Sequence, residues 1–342
     1  MVLSVLRGER VTGLAVAAWE AGWLVLTDAQ TEELIGRHRD AMLGVLALER
    51  RLINLAAAFE QAGVDVTVLK GSAFAHSFYP DPSWRSFGDI DLLVRTQDWR
   101  RASDLLRDLG VPRRLPEPRA GFDERFGKAA EHVGEGGLEV DLHRTLVVGP
   151  FGLWIDLEEL AEHIVPFSLG GRQLCRLDDT AAFAHACIHA SLGLWPPRLT
   201  PIRDVAQIGR VGRVDWRKLA EWGRCWKLSA VFQHALATAE EYLGAETPEQ
   251  AGALRTLVPS KVERRALLAY TTERRKRGGT TLATLHAIPG LRAKAGYVRM
   301  LLLPNRAFLA ARSGGGRPSY RRRWTVALKW FKGRPARTRA RK

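Results

Sequence analysis

Acidic residues are missing from the last fifth of the chain. None follows Glu273, while residues 274–342 hold 20 of the 52 lysines and arginines. The first 273 residues carry 32 basic against 37 acidic groups, so the formal charge of +15 belongs to an appendage and not to the body. Such asymmetry predicts an anionic partner for residues 274–342, either nucleic acid or an anionic membrane surface, with a solvated tail as the ordinary alternative. Cysteine is also scarce: Cys175, Cys187 and Cys225 are odd in number and share no metal-ligand spacing. That excludes a disulfide framework and fits a reduced, cytoplasmic setting. Long hydrophobic runs are lacking as well. The apolar stretch from Val11 to Leu26 is interrupted by Glu20, so neither a secretory signal nor a transmembrane segment is expected.

What is present is ample apolar residue, 46% of a 342-residue chain, enough for one large core or two modest ones. Apolar residues recur at helical spacing from about Asp28 to Gln61, with Leu48, Leu52, Leu55 and Phe59 on one stripe. Val64 to Leu69 reads as a short buried strand, residues 73–79 as one or two helical turns, and Gln97 to Leu109 as an amphipathic helix ended by Gly110 and Pro112. Residues 111–137, rich in Pro, Gly and Arg, are expected to form a long surface loop before a strand over Leu138 to Leu146. A hairpin is expected about Gly170 and Gly171, then helices over 179–193, 202–210, 216–226 and 229–243. The pattern divides the chain into a helical lead-in (1–62), an α/β domain (63–177), a helical domain (178–312) and a basic tail (313–342).

The chemistry concentrates between residues 69 and 94. Lys70, Gly71 and Ser72 follow the first strand, and Asp89 and Asp91 stand one residue apart on the next apolar run. Strand side chains alternate, so these two carboxylates are expected on one face, with Ile90 and Leu92 on the other. Paired carboxylates repel unless a cation lies between them, and magnesium prefers carboxylate and phosphate oxygens. Downstream, Glu139, Asp141 and His143 share a face of their own strand. His185 and His189 have i, i+4 spacing, but no glutamate occupies the intervening motif position and no zinc site is expected. Trp195-Pro196-Pro197 reads as a loop between helices, and Arg203 and Asp204 as a structural contact.

Leu-Lys-Gly-Ser, then Arg85, then Gly-Asp-Ile-Asp-Leu-Leu-Val and Val-Asp-Leu-His together resemble the uncharacterised bacterial nucleotidyltransferase family of the polymerase-β superfamily, over roughly residues 30 to 260. Members of that family occur, among other places, in gene clusters for modified peptides such as lasso peptides. The resemblance implies an α/β (α+β) fold, a polymerase-β-like domain with a mixed sheet followed by an all-helical domain. It also implies transfer of a nucleoside monophosphate from a nucleoside triphosphate to a hydroxyl or phosphate of an acceptor, helped by two Mg2+ ions about 3.5 to 4 Å apart. Asp89 and Asp91 would hold the metals, with Asp141 as third carboxylate and Glu139 in reserve. Lys70, Gly71 and Ser72 would meet the nucleotide phosphates at a turn leading into a helix N-terminus. Sixteen residues separate Ser72 from Asp89, more than is common in the superfamily. Lys70 is open between phosphate ligand and ion pair, and Arg85 between phosphate clamp and carboxylate partner. The alternative is a non-catalytic protein of this shape that binds RNA, DNA or an anionic membrane through its basic tail.

Overall fold

The computed structural model describes residues 5–6, 8–246, 248–272, 278–312, 320 and 324. Helix α1 (Thr12–Glu20) precedes α2 (Asp28–Gln61), whose N-terminus is closed by a capping box between Thr27 and Gln30. There the Thr27 hydroxyl and the Gln30 amide each satisfy the other's backbone N–H, which fixes where this long helix begins. Strand β1 (Thr67–Leu69) runs into α3 (Gly71–Phe78), and β2 (Ile90–Leu93) leads to α4 (Trp99–Asp108).

Between residues 111 and 137 the expected long loop is not what forms. Helix α5 (Phe122–Phe126) and strand β3 (Ala129–Val133) lie there, and β3 pairs antiparallel along its whole length with β4 (Glu139–His143). The Gly- and Pro-rich flanks hide a five-residue strand whose pairing, rather than its composition, makes it one. Short helices α6 (Pro150–Trp154) and α7 (Leu157–Ala161) precede the hairpin of β5 (Ile164–Leu169) and β6 (Arg172–Leu177). Its turn is Gly170-Gly171, both with positive φ, which glycine alone adopts without strain.

The strands form one mixed sheet in the order β3-β4-β2-β1-β6-β5, with β2 parallel to β4 and β1 parallel to β6. Beyond it come α8 (Asp179–Leu192), α9 (Leu199–Val211), α10 (Trp216–Cys225) and α11 (Ser229–Leu243). Then follow α12 (Gly252–Arg255), α13 (Lys261–Leu268), α14 (Gly279–Ala287), α15 (Leu291–Leu302) and α16 (Arg306–Arg312). This is an α/β architecture, a mixed six-stranded sheet followed by a helical C-terminal region.

Strand alternation sorts the core. Val68, Ile90, Leu92, Val140 and Leu142 pack with Leu52, Leu55 and Phe59 of α2 and Trp99, Ala102 and Leu106 of α4 on one face of the sheet. Leu69 and Leu93 belong instead to the larger cluster that includes Phe74 of α3 and the buried faces of α8, α9 and α11. Each large side chain so buried contributes about 1.5 to 3 kcal/mol, so the two clusters clamp the sheet from both sides. The polar members of β2 and β4 are thereby placed on the face toward the helical region. Among the described residues no helix is long and apolar enough to cross a membrane. The expected basic tail over 313–342, with its stripe of Trp324, Leu328 and Phe331, lies outside the described residues except at two positions. Tyr320 donates from its hydroxyl to the Pro304 carbonyl (2.7 Å), and Trp324 from its indole nitrogen to the Leu302 carbonyl (3.0 Å), so both are tied to the end of α15.

Candidate active site

The parallel register of β2 and β4 sets Asp91 level with Asp141. Residues level on adjacent parallel strands point to the same face, so the two carboxylates converge although they are fifty residues apart in sequence. Donor atoms of Asp91, Asp141 and His143 all lie within 4.8 Å of one another, and this is the cluster of potential metal ligands among the described residues.

Asp91 is buried and heavily partnered. Its Oδ1 accepts from the Lys70 ammonium at 2.9 Å and from His143 Nε2 at 2.8 Å. Burial alone would protonate it, but Lys70, His143 and Lys128 outweigh that and hold its pKa well below the usual carboxylate range. The same exchange raises Lys70: burial opposes its charge, while Asp91 and Asp89 more than restore it. Burial and then the Lys128 charge push His143 down to about 4, so the ring is neutral and its Nε2–H donates to Asp91. Asp141 is the contrasting case. No described residue bonds to its carboxylate, and burial followed by Asp91 raises its pKa to about 6. Two converging carboxylates, one neutralised and one not, form an oxygen donor set short of positive charge.

Asp89 stands one residue before β2 and is not part of that cluster. Its nearest described cation is Arg10, with Nη1 3.7 Å from Oδ1. Glu139 is exposed at the start of β4, 3.9 Å from Arg114, which it shares with Glu131, and is not part of the Asp91–Asp141–His143 cluster. Of the two roles open for Arg85, the geometry pairs it with a carboxylate. Its Nε and Nη2 each donate to Asp204 of α9 at 2.7 Å, and Nη1 donates to the Gly71 carbonyl at 3.1 Å. Asp204 also accepts from the Tyr79 hydroxyl at 2.9 Å. The guanidinium therefore fixes the turn that carries Lys70 and Gly71. That turn is strained: Lys70 has φ +45 and ψ −134, a region that non-glycine residues rarely occupy, followed by Gly71 at φ +34. Ser72 is buried in the first turn of α3.

A cavity of about 210 Å³ opens beside these groups, lined by Lys70, Gly71, Arg85, Asp89, Asp91 and His189 among others. His189 and His185 of α8 each leave Nδ1 without a described partner, and burial lowers the pKa of both well below the ordinary value. Sequence reasoning missed Lys128, whose residue lies just ahead of β3. Burial and then Lys70 lower its pKa, and Asp91, Asp141 and Asp89 pull the other way, so its charge is felt by all three acids. The available signal was a lone lysine entering an Ala-Ala-Glu-His-Val run, obscured by the reading of a loop.

The family model of an uncharacterised nucleotidyltransferase matches residues 1–244. The chain belongs to this family. Two solved structures are also similar to this nucleotidyltransferase. One is an antigenic nucleotidyltransferase-like protein from Paracoccidioides brasiliensis, 16% identical, covering 62% of this chain and 94% of its own at a TM-score of 0.35. The other is the lincosamide antibiotic adenylyltransferase LnuA with lincomycin bound, 14% identical, covering 46% of this chain and 94% of its own at a TM-score of 0.32. No curated protein matches the chain.

Proposed function

We propose that this nucleotidyltransferase is a magnesium-dependent enzyme that moves a nucleoside monophosphate from a nucleoside triphosphate to a hydroxyl or phosphate of an acceptor. The observation that carries the reading is the level placement of Asp91 and Asp141 on β2 and β4, beside a cavity and two lysines. The donor set fits a divalent ion, because the Asp141 carboxylate lacks a described partner and is disfavoured as an anion by burial and by Asp91. Asp91 and Asp141 would hold the metal, with Asp89 at the mouth of the cavity as a further ligand. Bound there, Mg2+ would neutralise charge on the attacking and leaving oxygens.

The remaining work falls to the chain itself. Lys70 keeps Asp91 ionised, and with Lys128 supplies positive charge where a polyphosphate would lie. Gly71 and Ser72 offer backbone N–H groups at the start of α3. Arg85 serves nucleotide binding through position, since it holds the Gly71 carbonyl while anchored on Asp204. Phosphoryl chemistry depends chiefly on such positioning and electrostatics, so no side-chain nucleophile is required. A peptide or small molecule in a biosynthetic pathway is the acceptor class that the sequence resemblance supports.

The test follows label from the α-phosphate of nucleoside triphosphates into acceptor mixtures, with and without Mg2+. Asp91→Ala and Asp141→Ala should each lose about a hundredfold or more of the incorporation while retaining cooperative unfolding. Undiminished incorporation by either folded variant removes the assignment.

A further inference from the structure

The residues just ahead of α1 form a short segment that helps to wall this cavity. Glu9 and Arg10 are part of its lining. The segment is built in from both sides. The Glu9 carboxylate accepts from the Leu199 N–H at the start of α9 (2.7 Å), and the Glu9 carbonyl accepts from the Thr200 hydroxyl (2.5 Å). On the opposite wall Ser86 donates to the Arg10 carbonyl at 3.4 Å. Gly13 abuts the loop that delivers Asp89 so closely that a Cβ there would lie 2.2 Å from the Ser83 carbonyl oxygen. Arg10 itself has φ +56, the left-handed region that costs a non-glycine residue, so contacts and not preference hold it there.

The Arg10 guanidinium lies over Gly88, 2.9 Å from where a Cβ would stand, and 3.7 Å from Asp89. It has room to move. Arg10 also lines a neighbouring cavity of about 270 Å³ together with Arg37, Asp40 and Phe87. A guanidinium and a divalent ion on one carboxylate repel each other, and a triphosphate offers the guanidinium a bidentate partner that a monophosphate with fewer charges matches less well.

We propose that Arg10 is a stand-in cation on Asp89, displaced when the metal binds and then a ligand of the nucleotide's triphosphate. This rests on the nucleotidyltransferase reading above. It makes the N-terminal segment part of the nucleotide site, and not merely a tether between Asp89 and α9.

The test uses the full chain with two probes, Mn2+ alone and Mn2+ with a nucleoside triphosphate or the monophosphate of the same base. Arg10→Gln should bind Mn2+ alone about threefold more tightly, because a competitor is gone, and bind the triphosphate about tenfold more weakly, with the monophosphate unchanged. Arg10→Lys, which keeps the charge but not the fork, should fall between wild type and Arg10→Gln. Equal triphosphate affinity in wild type and Arg10→Gln, or weaker Mn2+ binding by the variant, overturns the proposal. A wild-type protein that binds no triphosphate with Mn2+ defeats the underlying functional reading instead.

Discussion

Two acids of one strand, a single pleat apart, meet opposite surroundings. Asp141 is level with Asp91 and bonded by no described residue, whereas Glu139 is exposed and faces Arg114. A charge in the first setting has few alternatives to a cation, and in the second it already has solvent. Asp141→Asn should therefore lower turnover by about a hundredfold or more while weakening triphosphate binding far less, since a metal there acts mainly in the transition state. Glu139→Gln should stay within about twofold of wild type. Steady-state kinetics combined with direct binding of the triphosphate checks both. The reverse ranking would transfer the role to Glu139, in conflict with the observed register.

At the scale of an element, β3 shows how a strand can be secured by a titratable group. His132 is fully buried, with Nδ1–H donating to the Ala130 carbonyl at 3.1 Å and Nε2 accepting from the Ser103 hydroxyl at 2.9 Å. Burial lowers its pKa from 6.5 to about 4. Above pH 6.5 the imidazole is neutral in both folded and unfolded chains. As pH falls below that value the unfolded chain takes a proton that the native ring refuses, so stability is lost progressively down to about pH 4. Over that window the loss attributable to this residue is about 3 kcal/mol. His132→Gln should be less stable than wild type near neutrality but shallower in its decline on acidification, as read from urea midpoints between about pH 7 and pH 4.5. An unchanged slope would assign the acid sensitivity to other buried histidines, such as His185.

At the scale of the whole molecule, a buried ion pair joins the α/β half to the helical region beside the apolar cluster that the two share. Arg85, in the loop before β2, and Asp204, on α9, are both almost inaccessible and bind through two parallel hydrogen bonds of 2.7 Å. Burial would discharge Arg85, but the Asp204 carboxylate more than offsets it. Removing one partner strands the other's charge. Asp204→Asn should thus cost about 3 to 5 kcal/mol, whereas Arg85→Met with Asp204→Leu together should cost much less. A double-mutant cycle in denaturant measures this, and additive losses would mean that the pair contributes no coupling.

The sequence by itself determined the features whose causes are local. Helical periodicity and the Thr27 cap set α2, the paired glycines at 170 and 171 set the β5–β6 turn, and alternation on an apolar run separated Asp91 from Ile90 and Leu92. Tertiary structure alone decided what depends on distant partners. Strand β3 exists because β4 pairs with it, and Lys128 joins the site because that pairing carries it there. Arg85 is committed to Asp204, 119 residues onward, and Arg10 reaches Asp89 from ahead of α1. Pairing register and packing bring such groups together, and neither is written in the spacing of residues along a single segment.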